Sequence, residues 1–222
     1  MHLKDIKDKI PTELYDILEK EGIDKLRPSQ EKAIDKGLFS DKNLLVCTPT
    51  ASGKTLVAEL AGLNAILKNI GKCVYIVPLK ALAAEKFKEF KRKYGHLIKV
   101  GLSIGDTDSP EERLRNFDLI LTTSEKLDSI TRHHADWLKA VKVVVVDEIH
   151  LLNDSHRGPT LEILITLLKD ILENVQLIGL SATIGNSEEL AKWLDAELVK
   201  DLWRPVKLHQ GIYLNGEIEF FE

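Results

Sequence analysis

Two hydrophobic periods alternate along this chain. Compact apolar runs stand at Leu44–Cys47, Cys73–Val77, Val100–Ile104, Leu119–Thr122, Val143–Val146 and Leu177–Leu180. Each has the length and composition of a β-strand. Between them, apolar residues return every three or four positions, which is the spacing of a helix with one buried face. Those stretches are Leu56–Lys68, Leu79–Lys93, Glu125–His134, Thr160–Leu172 and Glu188–Leu194. The four consecutive valines, Val143 to Val146, have no polar alternation. A strand of that kind is buried on both faces, as in a parallel sheet. The alternation therefore predicts an α/β fold, a three-layer sandwich with a mostly parallel sheet and helices on both faces.

Two further helices are predicted ahead of the first strand. Thr12–Glu19 lies between Pro11 and Gly22, and Ser29–Gly37 follows Pro28, a placement that fits helix start and stop signals. The last stretch changes character. Val206–Leu214 and Glu217–Phe221 read as short extended segments around Asn215-Gly216, a turn signal. This divides the chain into residues 1–204, one domain with N-terminal helices over 11–39, and residues 205–222, an extended segment or the start of a connection.

The segment Thr48 to Thr55 (Thr-Pro-Thr-Ala-Ser-Gly-Lys-Thr) joins the first predicted strand to a predicted helix. Strand, small-residue loop, Gly-Lys-Thr and helix in that order form a phosphate-binding loop. Backbone N–H groups of Thr50, Ala51, Ser52, Gly53, Lys54 and Thr55 would face phosphate oxygens, and the helix N-terminus adds its positive dipole end. Lys54 would reach the outer phosphates and the Thr55 hydroxyl would ligate Mg²⁺. The pattern usually opens with glycine, and here Thr48 stands there, so that position does not need a positive φ.

Asp147-Glu148 ends the valine strand. Ligands of open α/β sheets bind at the carboxyl ends of the strands. Asp147 is there the candidate for holding Mg²⁺, through water, and Glu148 for deprotonating the water that attacks a γ-phosphate. Lys54, Asp147 and Glu148 are thus the candidate catalytic residues, with ATP and Mg²⁺ as cofactors.

Charge bears on the partner. The 222 residues carry 31 Lys and Arg against 35 Asp and Glu, a net charge of −4. A protein held to nucleic acid by general phosphate attraction is basic, so any such contacts here must be local or lie outside this chain. Cys47 and Cys73 each sit in a strand-like run and read as small core residues. Met1 to Lys9 is charged, with no apolar signal segment, and no run is long enough to span a bilayer. A cytoplasmic, nucleoid-associated location and no membrane partner are expected.

Taken together, the motifs resemble the first RecA-like domain of superfamily 2 helicases of the DExH group. Arg27-Pro28-Ser29-Gln30 is similar to the adenine-recognition element, with Gln30 implied as base reader. Pro78 to Ala83 and Thr122 to Leu127 resemble segments that touch the nucleic-acid backbone, which implies Lys80, Thr123, Ser124 and Lys126. Ser181-Ala182-Thr183 resembles the element coupling nucleotide state to nucleic-acid grip, with Ser181, Thr183 and His150 implied. His150 to Asp154, Arg157 to Glu162, Ser181 to Asn186 and Trp203 to Val206 are similar to the Ski-like branch, and within it to archaeal DNA-repair helicases related to HelQ. The resemblance implies an ATP-dependent DNA helicase moving 3′ to 5′ on single-stranded or forked DNA at stalled forks. It also implies a second RecA-like domain, a winged-helix domain and a helical ratchet domain as partners. None is visible in these 222 residues, so the chain reads as a motor fragment with weak turnover of its own.

Plainer readings stand beside these. Lys80 can be a solvated lysine, Ser124 an N-cap, Gly105-Asp106 an ordinary turn, and His150 a packed polar residue. Arg132-His133-His134 complements a helix dipole. Trp137, Trp193 and Trp203 have no aromatic neighbours at stacking spacing and read as packing, and Arg157 as an ion-pair partner. An RNA helicase of the same branch is the alternative function. A nucleotide-binding interaction module without translocation is another, and a small-molecule kinase would need an arginine-rich lid that is not seen.

Overall fold

The computed structural model describes residues 1–105, 112–209, 211–214 and 216–221. Asp106 and Asn215, each half of a predicted turn, lie outside the described residues.

Seven strands form one parallel sheet: β1 (Leu44–Cys47), β2 (Lys72–Val77), β3 (Val100–Ser103), β4 (Leu119–Thr123), β5 (Val141–Val146), β6 (Gln176–Ser181) and β7 (Glu197–Lys200). Their spatial order is β3-β4-β2-β5-β6-β1-β7. Seven α-helices accompany them: α1 (Thr12–Lys20), α2 (Pro28–Asp35), α3 (Lys54–Leu67), α4 (Lys80–Tyr94), α5 (Ser124–Arg132), α6 (Gly158–Ile171) and α7 (Ser187–Leu194).

The period-two geometry of a strand sorts side chains to opposite faces, and the sheet has two cores accordingly. Leu44, Val46, Tyr75, Leu121, Val143, Val145 and Ile178 face α1 to α4. Leu45, Val74, Ile76, Ile120, Val144, Val146 and Leu177 face α5 to α7. Both sets are buried. This is why the valine run tolerates no polar residue: alternate valines serve alternate cores.

All six strands predicted from the apolar runs are present, with bounds shifted by up to two residues. Besides the 3₁₀ segments Glu112–Asn116, Asp136–Ala140 and Ile149–Asn153, two described elements have no counterpart in that reading. One is β7, whose sequence Glu-Leu-Val-Lys buries only Val199 fully at the sheet edge. An edge strand needs little apolar sequence because one side of it faces solvent. The other is a 3₁₀ segment, Leu3–Lys9, packed through Leu3 and Ile6. In the tail, β8 (Gly211–Leu214) and β9 (Glu217–Phe220) form a separate antiparallel pair, shorter than the extended segments predicted there.

Candidate functional site

The strand order places the motifs. β1 pairs with β6 and β6 with β5, all parallel, so the segments after these three strands leave one edge of the sheet side by side. They are the Thr48–Thr55 loop, Ser181-Ala182-Thr183 and Asp147-Glu148. The neighbouring pair β2 and β4 ends in register at Val77 and Thr123. That register puts the Pro78–Lys80 and Thr123–Lys126 segments next to each other, on the far side of β5 from the loop.

The loop is closed by its own side chains. Buried Thr48 and Ser52 share a hydroxyl hydrogen bond of 2.7 Å across its base. Threonine at the usual glycine position is therefore a clasp. Ala51 and Gly53 adopt left-handed φ of 63° and 91°. A Cβ on Gly53 would meet Gln30 Nε2 at 2.6 Å, so glycine is required there twice over. Lys54 Nζ donates back to the Thr48 carbonyl at 3.4 Å. Its ammonium thus lies over the loop, where a phosphate would sit.

The Gln30 element packs directly on this loop. Gln30 is only 3% exposed. Its Oε1 accepts from Arg27 N at 2.8 Å, and its Nε2 donates to the Gly53 carbonyl at 3.0 Å. Arg27 Nη1 donates to the Ala51 carbonyl at 2.6 Å. The guanidinium of Arg27 also lies 5.6 Å from the centre of the Trp203 ring, within cation–π range. Trp203 is 39% exposed, which departs from the packing role read for it, whereas Trp137 is buried in the second core. Lys32 pairs with Asp201 at 2.8 Å, and Trp203 N donates to Asp201 at 2.6 Å. The chain after β7 is thereby pinned beside the loop. No sequence pattern links positions 27 and 203.

Asp147 receives three donors. Glu148 N donates to Oδ1 at 3.0 Å. Tyr75 Oη donates to Oδ2 at 3.1 Å, and Lys86 Nζ approaches the same oxygen at 3.4 Å. Burial and the adjacent carboxylate push the Tyr75 phenol well above its ordinary range, so it is a permanent donor. Tyr75 and Lys86 were not singled out by sequence. The signal available was their place in β2 and one turn and a half into α4, but nothing local marks them as partners of Asp147.

Glu148 adopts a left-handed φ of 51°, a conformation a non-glycine residue holds only when its surroundings impose it. His150 Nδ1 lies 3.3 Å from Glu148 Oε2 and 3.4 Å from the Ala182 backbone N. The same nitrogen cannot serve both. Protonated, it donates to Glu148; bare, it accepts from Ala182 N–H. His150 thus stands between the acid pair and the Ser181–Thr183 segment. The Ser181 hydroxyl is buried beside the Cys47 thiol, and Thr183 is exposed.

The remaining predicted contacts separate by exposure. Lys80 is exposed at the start of α4. Thr123, Ser124 and Lys126 are buried, Lys126 to 5%. Thr123 caps α5 by accepting from Lys126 N at 3.4 Å. What this segment offers outward is the helix start more than its side chains. Arg157 does not stand alone: with Ser124, Asp147 and Glu148 it lines a cavity of about 10 Å³, room for about one water. Arg132 pairs with Asp128 at 2.9 Å. Cys73 is buried, which pushes its thiol up to about 12.

A phosphate-binding loop after one strand and an acid pair two strands away, in a parallel sheet covered on both faces, define the RecA-like helicase fold. A crystal structure of the DUF1998 helicase MrfA bound to DNA superposes on 87% of this chain with a TM-score of 0.72 and 28% identity, and the match covers 30% of that chain. The profile of the family described as DEAD/DEAH box helicase matches residues 27–190, and the chain belongs to that family. It is 53% identical over 216 residues to the ATP-dependent DNA helicase Hel308 of Methanococcus vannielii, covering 94% of this chain and 28% of that one. To Hel308 of Methanocaldococcus jannaschii it is 56% identical over 214 residues, covering 93% and 18%. To that of Pyrococcus horikoshii it is 51% identical over 208 residues, covering 94% and 29%. The chain therefore spans less than a third of the length of these relatives.

Proposed function

We propose that this chain is the nucleotide-binding first RecA-like domain of an ATP-dependent DNA helicase of the Hel308 kind. The observation that carries the proposal is the adjacency of β1, β6 and β5. It brings the Thr48–Thr55 loop, the Ser181–Thr183 segment and Asp147-Glu148 to one sheet edge in that order. The triphosphate would lie on the backbone N–H groups of Thr50 to Thr55, with Lys54 turning from the Thr48 carbonyl to the outer phosphates.

Thr55 and Asp147 suit Mg²⁺. Among the described residues no group of three or more His, Cys, Asp or Glu could hold a metal by itself. That fits an ion bound by one or two protein oxygens together with nucleotide phosphates and water. When bound, the ion neutralises charge on the phosphates. Glu148 would take the proton of the attacking water, held in line by its imposed backbone geometry and by His150. His150 would then relay the change to the Ser181–Thr183 segment through Ala182 N. Gln30 would read the base with the second N–H of its amide and the second lone pair of its oxygen, since each end of the amide makes one bond within the chain.

Lys80 and the Thr123–Lys126 helix start, adjacent through β2 and β4, would follow the DNA backbone. ATP-driven closure against a second RecA-like domain would move them along one strand, with winged-helix and ratchet domains completing the machine. The names of the relatives favour DNA over RNA. Among the described residues no helix is long and apolar enough to cross a membrane.

Two substitutions test this. Lys54→Ala should weaken Mg·ATP binding by about 10- to 100-fold, the loss of one strong charge-assisted contact. Glu148→Gln should leave binding intact and slow single-turnover hydrolysis by roughly 10²- to 10⁴-fold in a protein that includes the second RecA-like half. Calorimetry that stays flat at millimolar Mg·ATP for the unaltered chain would end the nucleotide reading.

A further inference from the structure

We infer that Lys86 is the stand-in cation of the metal site: it neutralises Asp147 while no metal is present and yields that carboxylate when Mg²⁺ arrives with nucleotide. This rests on the nucleotide reading above and adds to it a residue and the sign of its effect.

Three observations carry it. First, Lys86 is held at the site. Its side chain is 17% exposed and that of Asp147 is 11% exposed, and the ammonium approaches Oδ2 at 3.4 Å. It also lies 5.2 Å from the centre of the Tyr75 ring, so the lysine is held over an aromatic face whose hydroxyl donates to the same oxygen. Second, Asp147 is crowded. Its two oxygens already receive Glu148 N, Tyr75 Oη and Lys86 Nζ. A carboxylate has about four acceptor positions, so one remains for a donor from the metal's water shell, and the Lys86 ammonium beside it repels the incoming cation. The two held by backbone and ring cannot swing away, whereas the lysine is on a flexible four-carbon stem. Third, the pair is loose. Seven residues further along α4, Lys93 sits at 2.9 Å from its own acid, Glu59. Lys86, at 3.4 Å, is the less committed of the two.

The physical consequence is competition. An ammonium and a divalent cation at one half-buried carboxylate repel each other and share one acceptor. Lys86 therefore raises the Mg²⁺ concentration needed to assemble the site, and spares the protein a bare, half-buried carboxylate before that. A lysine whose role is merely to orient Asp147, or to support the fold, would act in the opposite direction, because its loss would weaken metal binding.

The sign makes the test. The melting temperature of the full chain is measured against Mg²⁺ concentration at fixed, saturating ADP, and the half-maximal Mg²⁺ concentration is read for unaltered protein, Lys86→Gln and Lys86→Arg. Lys86→Gln should lower the half-point by about tenfold and lower the melting temperature in EDTA. Lys86→Arg, which keeps the charge, should stay near the unaltered value. A half-point that is unchanged or raised in Lys86→Gln, while the unaltered protein gains stability from Mg²⁺ and ADP, overturns the role of Lys86 alone. An unaltered protein that gains nothing from Mg²⁺ and ADP overturns the nucleotide reading and this inference with it.

Discussion

Helix α4 carries two lysines seven residues apart, and each meets a carboxylate that is also bonded by a tyrosine. At one end Lys93 Nζ and Tyr94 Oη both reach Glu59 Oε2, at 2.9 and 2.5 Å. Near the middle of the helix, Lys86 Nζ and Tyr75 Oη both reach Asp147 Oδ2, at 3.4 and 3.1 Å. Phe90 joins the two tyrosines, with ring centres 5.5 Å from Tyr75 and 5.9 Å from Tyr94. The chemistry is the same and the setting differs. Glu59 is 5% exposed in the middle of α3, and every donor around it is close. Asp147 stands at a strand end with longer contacts, and its second oxygen is held by its own neighbour's backbone. The closed triad ties α3 to α4 and has no capacity left for a ligand. The open triad is stable enough to fold and loose enough to be rearranged. The difference teaches how a fold uses one motif for support and for a candidate site: distance and burial, not residue type, separate the two.

The sharpest way to break this comparison is to remove each acid. Glu59→Ala would strand Lys93 in the interior, at a cost of about 3–5 kcal/mol. For a chain of this size that is a fall in melting temperature of roughly 6–20 °C. Asp147→Ala should cost less than half as much by the same melt, because Lys86 can turn to solvent, and should instead abolish the stabilisation given by Mg²⁺ with ADP. Equal melting temperatures for the two variants would show that the triads do not differ in kind.

The tyrosines sharpen the point at smaller scale. Tyr94→Phe removes a donor from a buried carboxylate and should cost about 1–2 kcal/mol. Tyr75→Phe should cost under about 1 kcal/mol, since Asp147 keeps Glu148 N and Lys86. Burial first, and then the neighbouring acid, push both phenols upward. Neither should titrate below the onset of alkaline unfolding, which ultraviolet difference spectra would check.

The smallest effect concerns a third acid–lysine pair, Asp201 with Lys32. Burial raises the Asp201 carboxyl, but the Lys32 side chain and Trp203 N–H outweigh it and hold the group below its ordinary range. A carboxyl depressed in the folded state contributes stability above its unfolded pKa and loses it as pH falls through the folded value. Lys32 is half exposed, so the contribution is about 0.5 kcal/mol after screening. Asp201→Asn should therefore show a small deficit at neutral pH. That deficit should close as pH drops below about 4, the ordinary carboxylate range. Trp203 emission, next to the pair, is a convenient probe.

Much of the fold was legible in the chain because its signals are local. Six strands and five α-helices follow from apolar spacing, the first two α-helices from their start and stop signals, and the loop and acid pair from short motifs at strand ends. The edge strand β7 was missed because half-exposed edges need little apolar sequence. Lys126 is implied by the resemblance as a backbone contact, yet the turn from β4 into α5 buries it. Trp203 has no aromatic neighbour along the chain, and only the return of the chain past β7 lays it beside Arg27.

The order of elements and the choice of candidate reactive groups were set by the sequence alone: the alternation of periods, the glycine and lysine of the loop, the acids after four valines. Which groups meet was decided by the tertiary structure. Parallel strands require a crossover between them, so sheet neighbours are far apart in the chain. Tyr75 lies 72 residues from Asp147, and Glu59 lies 35 from Tyr94. Contacts over such separations leave no periodic trace, and only the strand order β2-β5-β6-β1 assembles them.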